Sequence, residues 1–214
     1  MNSKRNGGIG GIVCAAGVLL LCCVAGLRAV EFAGGTGEPN DPYQIATSEQ
    51  LIAIGSDPNL ALKHFILVDS IDLAGTIWSS AVIPSFSGSF DGNGFAIQGL
   101  TARGAGFTGL FGGIATTGRV TNLSILDVDL TSADTVGALA ASNAGTVCNC
   151  DSTGDIIGAS GTCGGLIGLN TGLVTGSFSA ASVTGADRVG GLVGYNRSGI
   201  LRRCRSQSFV FGSS

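Results

Sequence analysis

The chain is poor in the residues on which most site chemistry depends: one His, one Met, one Trp and four Pro in 214 residues, with 12% charged and 6% aromatic side chains. A single histidine, His64, rules out a zinc peptidase site of the His-Glu-x-x-His type in this chain. His64 has no evident sequence partner for base catalysis and reads as a surface or cap residue. A formal net charge of -3 argues against a nucleic-acid binder, which normally carries a concentrated basic surface. The 37 glycines lack the three-residue period of collagen, and 44% apolar content is too high for a disordered tail. What remains is one ordered domain of ordinary size and unusual composition.

Lys4 and Arg5 precede an uncharged stretch from Gly7 to Leu27 that is densest in Val, Leu, Ala and Cys between Ile12 and Ala25. This pattern predicts a secretory leader over residues 1–29, cleaved after Ala29 or after Ala25. A retained anchor is the competing reading, since the run approaches the roughly 20 residues that span a bilayer. Leu21 before Cys22 disfavours a lipoprotein. Cleavage after Ala29 leaves 8 basic and 14 acidic residues, a mildly acidic exported chain. It also removes Cys14, Cys22 and Cys23; the four that remain are too few for a disulfide scaffold.

Residues 30–108 read as a cap with the first strands. Thr47 and Gln50 form a capping box ahead of Leu51-Ile52-Ala53-Ile54, and Gly55 offers a stop, so one short helix is expected. Phe65–Val68 and Ser70–Leu73 read as strands. Phe86–Phe90 and Phe95–Leu100 flank Asp91-Gly92-Asn93-Gly94, which reads as a tight turn between strands.

From residue 109 onward the chain repeats. Val120, Val147, Val174 and Leu201 are 27 apart, as are Leu123, Cys150, Ser177 and Cys204. Val136-Gly137-Ala138-Leu139, Cys163-Gly164-Gly165-Leu166 and Val189-Gly190-Gly191-Leu192 run in step with them, followed by Asn143, Asn170 and Asn196. A period of this length signals a solenoid. Units rich in Gly, Thr, Ser and Val, with no helix-length apolar stripe, predict a coil of short parallel strands. Residues one period apart then stack about 4.8 Å apart. Leu110, Leu139, Leu166 and Leu192 are expected to form one core ladder, and Val120, Val147, Val174 and Leu201 another.

Gly165-Leu166-Ile167-Gly168-Leu169-Asn170 and Gly191-Leu192-Val193-Gly194-Tyr195-Asn196 resemble the GLUG motif of secreted and surface-exposed bacterial repeat proteins. Gly109-Leu110-Phe111-Gly112 is a third copy, and Gly137 to Asn143 a degenerate one. Asp41-Pro42-Tyr43-Gln44-Ile45 and Phe90-Asp91-Gly92-Asn93-Gly94 resemble the segment that often precedes such repeats. The resemblance implies a right-handed parallel β-helix in an exported protein. It implies no single activity; some members carry the motif beside an immunoglobulin-cleaving metallopeptidase domain.

Asp69, Asp72, Asp91, Asp127 and Asp129 suit a calcium-assisted polysaccharide lyase only if they cluster. A 27-residue step carries Asp127 to Gly154, Asp129 to Ile156 and Asp151 to Phe178, so no repeated ion site is expected, and turn and edge solvation accounts for these residues better. Cys150 and Cys204 share a ladder two rungs apart, beyond disulfide reach; Cys148 and Cys163 are left open, paired or free. Asn143, Asn170 and Asn196 read first as a stacked amide ladder at a turn, with a glycan contact the lesser reading. Arg197, Arg202, Arg203 and Arg205 form the basic cluster, a solvated face or a contact for an acidic polysaccharide.

The expectation is therefore an all-β, secreted or cell-surface β-solenoid with a small helix-bearing N-terminal cap. About four rungs are expected after Gly109. Adhesion, glycan binding or scaffolding is the favoured role, and a β-helix carbohydrate-active enzyme is the alternative. No cofactor, metal or nucleic acid is called for; the partners are a polysaccharide or a surface protein, and the membrane only through an uncleaved leader. Ser206 to Gly212 reads as a strand of the last rung, which predicts a continuing chain or a partner at that end.

Overall fold

Runs of three or four residues with alternate apolar side chains cannot bury a face alone, but they do so when copies stack. The structure, a computed structural model, describes residues 30–212; the leader expected over residues 1–29 lies outside them. The chain winds into a parallel β-solenoid, and every pairing between its strands is parallel, each strand bonding to its equivalents one turn away. One seven-stranded sheet runs through Tyr43–Ile45, His64–Leu67, Ser89–Asp91, Arg119–Thr121, Thr146–Cys148, Leu173–Thr175 and Ile200–Arg202. A five-stranded sheet starts at Ile83–Phe86 and ends at Val193–Asn196, and a small three-stranded sheet stacks Val136–Gly137, Cys163–Gly164 and Val189–Gly190. A ten-stranded sheet has Ile71–Asp72 and Ile77–Trp78 at one end of the solenoid and Arg205–Ser206 and Phe209–Gly212 at the other.

Val120, Val147, Val174 and Leu201 are in register, with Tyr43, Phe65 and Phe90 beneath them in the same column. Leu110, Leu139 and Leu166 are fully buried and Leu192 nearly so. Stacked aromatics fill the wider first turns, where Phe65, Phe86, Phe90 and Phe111 lie 5.2–6.5 Å apart between ring centroids. Ladders cross residue 109 without a break, Phe90 pairing with Val120 and Ile83 with Phe111.

Helix α1 spans Ser48–Ser56, and both halves of the Thr47–Gln50 capping box are present. Gly55 is not its stop. The helix continues to Ser56, and a Cβ on Gly55 would stand 2.0 Å from the Val82 carbonyl oxygen, so this glycine lets α1 lie against the edge of the five-stranded sheet. The repeat glycine Gly164 has a related role, since its Cβ would meet the Ile167 carbonyl oxygen at 1.9 Å where the chain turns between sheets. Asp91 to Gly94 is a turn with left-handed Asn93 and Gly94, but its flanking strands do not pair with each other. It is a solenoid corner: Ser89–Asp91 belongs to the seven-stranded sheet and Ala96–Gln98 to the ten-stranded one. Among the described residues no helix is long and apolar enough to cross a membrane.

Candidate functional site: the last coil

The last turn of the solenoid gathers the arginines. Arg202 ends the strand Ile200–Arg202 in register with Thr175 and Cys148, on the outward face. Arg203 occupies the next corner with φ 52°, the left-handed position held by Asn122, Asn149 and Gly176 on earlier turns. Beyond that corner Arg205 begins the next strand, its guanidinium carbon 4.9 Å from the centroid of the Phe178 ring. These three surround one corner. Arg197 follows Asn196, before the other end of the strand Ile200–Arg202, where its backbone N–H donates to the Asn170 carbonyl at 2.8 Å. Arg188, which sequence reasoning passed over, lies 4.6 Å above the Tyr195 ring centroid. No Asp or Glu follows Asp187, so the end of the chain carries five arginines and no carboxylate side chain.

The same turn exposes apolar side chains that earlier turns bury. Leu201 is 41% exposed while Val174 beneath it is fully buried, and Phe209 is 73% exposed. Phe209 and Phe211 stand over Ser182 and Thr184 on the outer face of the ten-stranded sheet, with Val210 continuing the inward Val183 column. Their alternation with Val210 was the sequence signal for this outward aromatic pair.

Asn143, Asn170 and Asn196 are in register. Asn143 Nδ2 donates to Asn170 Oδ1, and Asn170 Nδ2 to Asn196 Oδ1, each at 2.8 Å. Asn143 and Asn170 are fully buried, so solvent reaches only the Asn196 end of this amide row. Ile114 holds the preceding position of the column. A second amide row, on the surface, was not anticipated: Asn149 Nδ2 donates to Asn122 Oδ1 at 3.3 Å, and Asn122 Nδ2 to the Asp91 carboxylate at 3.0 Å.

The carboxylates are placed differently from a constant 27-residue step. The strand Ser124–Ser132 carries a bulge between Ile125 and Val128, after which the offset falls to 26. Asp129 therefore stacks on Asp155 and not on Ile156, and the Asp127 N–H meets the Thr153 hydroxyl at 3.0 Å. Arg103 pairs with the Asp129 carboxylate, which sets two carboxylates and one base on one outer face. Asp151 does adjoin Phe178, and it accepts the Ser124 hydroxyl at 2.7 Å.

All four cysteines of the described residues are free. Burial pushes the Cys150 and Cys163 thiols up to about 12. His64 is half-buried, with Nδ1 2.6 Å from the Ser89 hydroxyl.

At the opposite end the balance of charge reverses. Residues 30–72 hold Glu31, Glu38, Asp41, Glu49, Asp57, Asp69 and Asp72 against Lys63 alone among lysines and arginines.

No family model matches the chain. It is similar to halomucin of Haloquadratum walsbyi, 32% identical over 77% of this chain and 2% of that protein. A protein assigned as a Gly-rich membrane protein in Evansella cellulosilytica is 35% identical over 55% of this chain and 15% of its own length. The chain thus spans a small part of the curated relatives it matches. Among solved structures, a Bacteroides ovatus protein assigned as an immunoglobulin A1 protease superposes with a TM-score of 0.65 at 22% identity. The match covers 82% of this chain and 59% of that one. That likeness is one of fold, and the relatives' names point to a surface or extracellular setting.

Proposed function

We propose that the chain is a GLUG-type, non-enzymatic binding module of an exported or cell-surface protein, and that an acidic glycan is its ligand. One observation carries this reading: the chain concentrates five arginines and no carboxylate side chain after Asp187. Within that segment Arg202 and Arg203 project around one exposed corner. Guanidinium groups bind carboxylates and sulfates through paired, directional hydrogen bonds, and a solenoid presents such groups on a stiff, extended surface. The test is electrophoresis of the full chain through gels containing polygalacturonate, alginate or neutral dextran, with calcium and with chelator. Retardation in the acidic gels alone is expected, weakened about tenfold in Arg202→Ala/Arg203→Ala, which corresponds to ~1.4 kcal/mol. Equal mobility in all gels refutes glycan binding and leaves scaffolding as the better account.

A second reading, a carbohydrate-active enzyme of the β-helix type, is favoured by the bulge that brings Asp129 and Asp155 together beside Arg103. Paired carboxylates are the general acid and base of glycoside cleavage. Degradation of the gel glycan, abolished by Asp155→Asn, supports this reading over the first.

A further inference from the structure

One corner of the solenoid carries Asn122, Asn149, Gly176 and Arg203 on successive turns. Backbone bonds of 2.9–3.0 Å tie these turns together, from the Asn122 N–H to the Cys148 carbonyl, the Asn149 N–H to the Thr175 carbonyl and the Gly176 N–H to the Arg202 carbonyl. All four corner residues have left-handed φ, from 52 to 63°, and all four are exposed. Asn122 and Asn149 are exposed although turns lie on both sides of them, so stacking does not cover this corner.

The hydrogen bonds along the corner have one direction, and Asp91 sets it. Its carboxylate accepts from the Asn93 N–H at 2.9 Å and from Asn122 Nδ2 at 3.0 Å. A carboxylate only accepts, so Asn122 turns its NH2 group toward Asp91 and its carbonyl oxygen toward the next turn. Asn149 then donates Nδ2 to that oxygen at 3.3 Å and turns its own Oδ1 toward Gly176. Gly176 brings no side chain to meet it, and a Cβ there would collide with Asn149 Oδ1. The buried amide row is finished differently, since Asn143 Oδ1 accepts from the Gly145 N–H and Asn196 Nδ2 donates to the Gly199 carbonyl. The surface row ends on an acceptor that no donor meets among the described residues. One turn beyond Gly176 stands Arg203, which forms no ion pair there and offers donors alone.

We propose that the open Asn149 carbonyl makes the arginine corner selective for glycuronans, sugar polymers that carry hydroxyl groups beside their carboxylates. The inference rests on the acidic-glycan reading above and adds to it the part of the ligand that is not charged. A carboxylate pairs with the Arg203 guanidinium, and a hydroxyl of the same polymer donates to Asn149 Oδ1 across the gap at Gly176. Asn149 and Arg203 are two turns apart, about 9.6 Å at Cα, a span on the scale of a disaccharide. A polyanion without hydroxyls satisfies the arginine but turns only acceptors toward the carbonyl oxygen, so the corner discriminates against it.

The test is electrophoresis of the full chain through gels of equal carboxylate content. One holds polygalacturonate, one O-acetylated polygalacturonate, and one polyacrylate, which has carboxylates and no hydroxyls. Retardation is expected to be about fivefold stronger in polygalacturonate than in the other two, the size of one hydrogen bond to a neutral acceptor. Asn149→Ala is expected to remove that preference while leaving retardation by polyacrylate unchanged. Gly176→Ala, which obstructs the carbonyl and keeps every arginine, is expected to do the same; far-UV circular dichroism checks that both variants are folded. Equal retardation of the unaltered chain in all three gels overturns the proposal, as does a preference that survives in folded Asn149→Ala. Both results leave the arginine reading standing, because that reading is measured by Arg202→Ala/Arg203→Ala. No retardation in any gel overturns the arginine reading and this inference together.

Discussion

Replacing Asn170 by Ala isolates the buried amide row. In the intact solenoid Asn143 Nδ2 has Asn170 Oδ1 as its acceptor at 2.8 Å, and both residues are fully buried. The substitution leaves that Asn143 N–H without a partner where water does not reach, at a cost of about 1–3 kcal/mol, and also removes the bond to Asn196, worth about 1 kcal/mol. Gly172 contributes less, because its N–H, which donates to Asn170 Oδ1 at 3.2 Å, also reaches the Asn143 carbonyl at 3.2 Å. The sum is about 3 kcal/mol, or a fall in Tm of about 6–12 °C for a domain of this size. Asn196→Ala deletes an exposed member of the same row and should cost about 1 kcal/mol or less, since water replaces it. Thermal melts followed by far-UV circular dichroism measure both. The double change Asn143→Ala/Asn170→Ala should cost less than the sum of its parts, because the stranded N–H is removed along with its acceptor. If Asn170→Ala and Asn196→Ala shift Tm equally, the row is not a buried network and the reasoning fails.

Two further consequences follow from local geometry. Gly55→Ala ought to gain about 1 kcal/mol of helix propensity, yet its Cβ would stand 2.0 Å from the Val82 carbonyl oxygen, so a net loss of about 1–3 kcal/mol is expected in urea unfolding. An unchanged or raised midpoint would show that α1 does not hold to that edge. Burial raises the Cys150 and Cys163 thiols from an ordinary 9.0 to about 12, which favours the neutral form in the folded chain. Stability from these two groups is complete below about pH 8 and declines as pH rises from about 9 toward 12, where the unfolded chain ionises first. Replacing both with Ala should flatten that alkaline limb, measured as urea midpoint against pH; an unchanged slope would exclude these thiols as its source.

Much of this fold could be read from the chain because a solenoid translates sequence period directly into spatial register. A step of 27 from Val120 finds Val147, Val174 and Leu201, and the structure stacks these residues. The same arithmetic failed at Asp129, because one bulge removes a residue from the step and turns Asp129 onto Asp155. A bulge depends on backbone conformation, here left-handed Asp127 and positive-φ Gly154, which spacing alone does not reveal. Gly55 misled in a similar way, since a glycine near a helix end signals a stop, whereas the close approach of Val82 comes from residues far along the chain. The four arginines span the strand Ile200–Arg202, with Arg197 before its first residue and Arg202, Arg203 and Arg205 at and beyond its last. Arg188 was left out of that group although it stands just before Val189–Gly190 in the same coil, over the Tyr195 ring.

The charge gradient has a physical basis in how a solenoid is ended. Inner turns are covered on both sides, so their outward columns need only be polar, as Thr101, Asp129, Asp155 and Ser182 are. Terminal turns carry unpaired edges that would add any strand they met. Like charge at one end discourages copies from meeting there in pairs. Lys63 and Glu38, 2.8 Å apart, show the first turn using ion pairing within its own cap, while its remaining carboxylates face outward. In the last turn Arg205 lies over the Phe178 ring, which holds its guanidinium group in place without neutralising it, whereas Arg188, over the Tyr195 ring, also lies 3.9 Å from the Asp187 carboxylate. The last coil therefore keeps Arg202, Arg203 and Arg205 available for a carboxylate supplied from outside, as by a glycan at the Arg202–Arg203 corner.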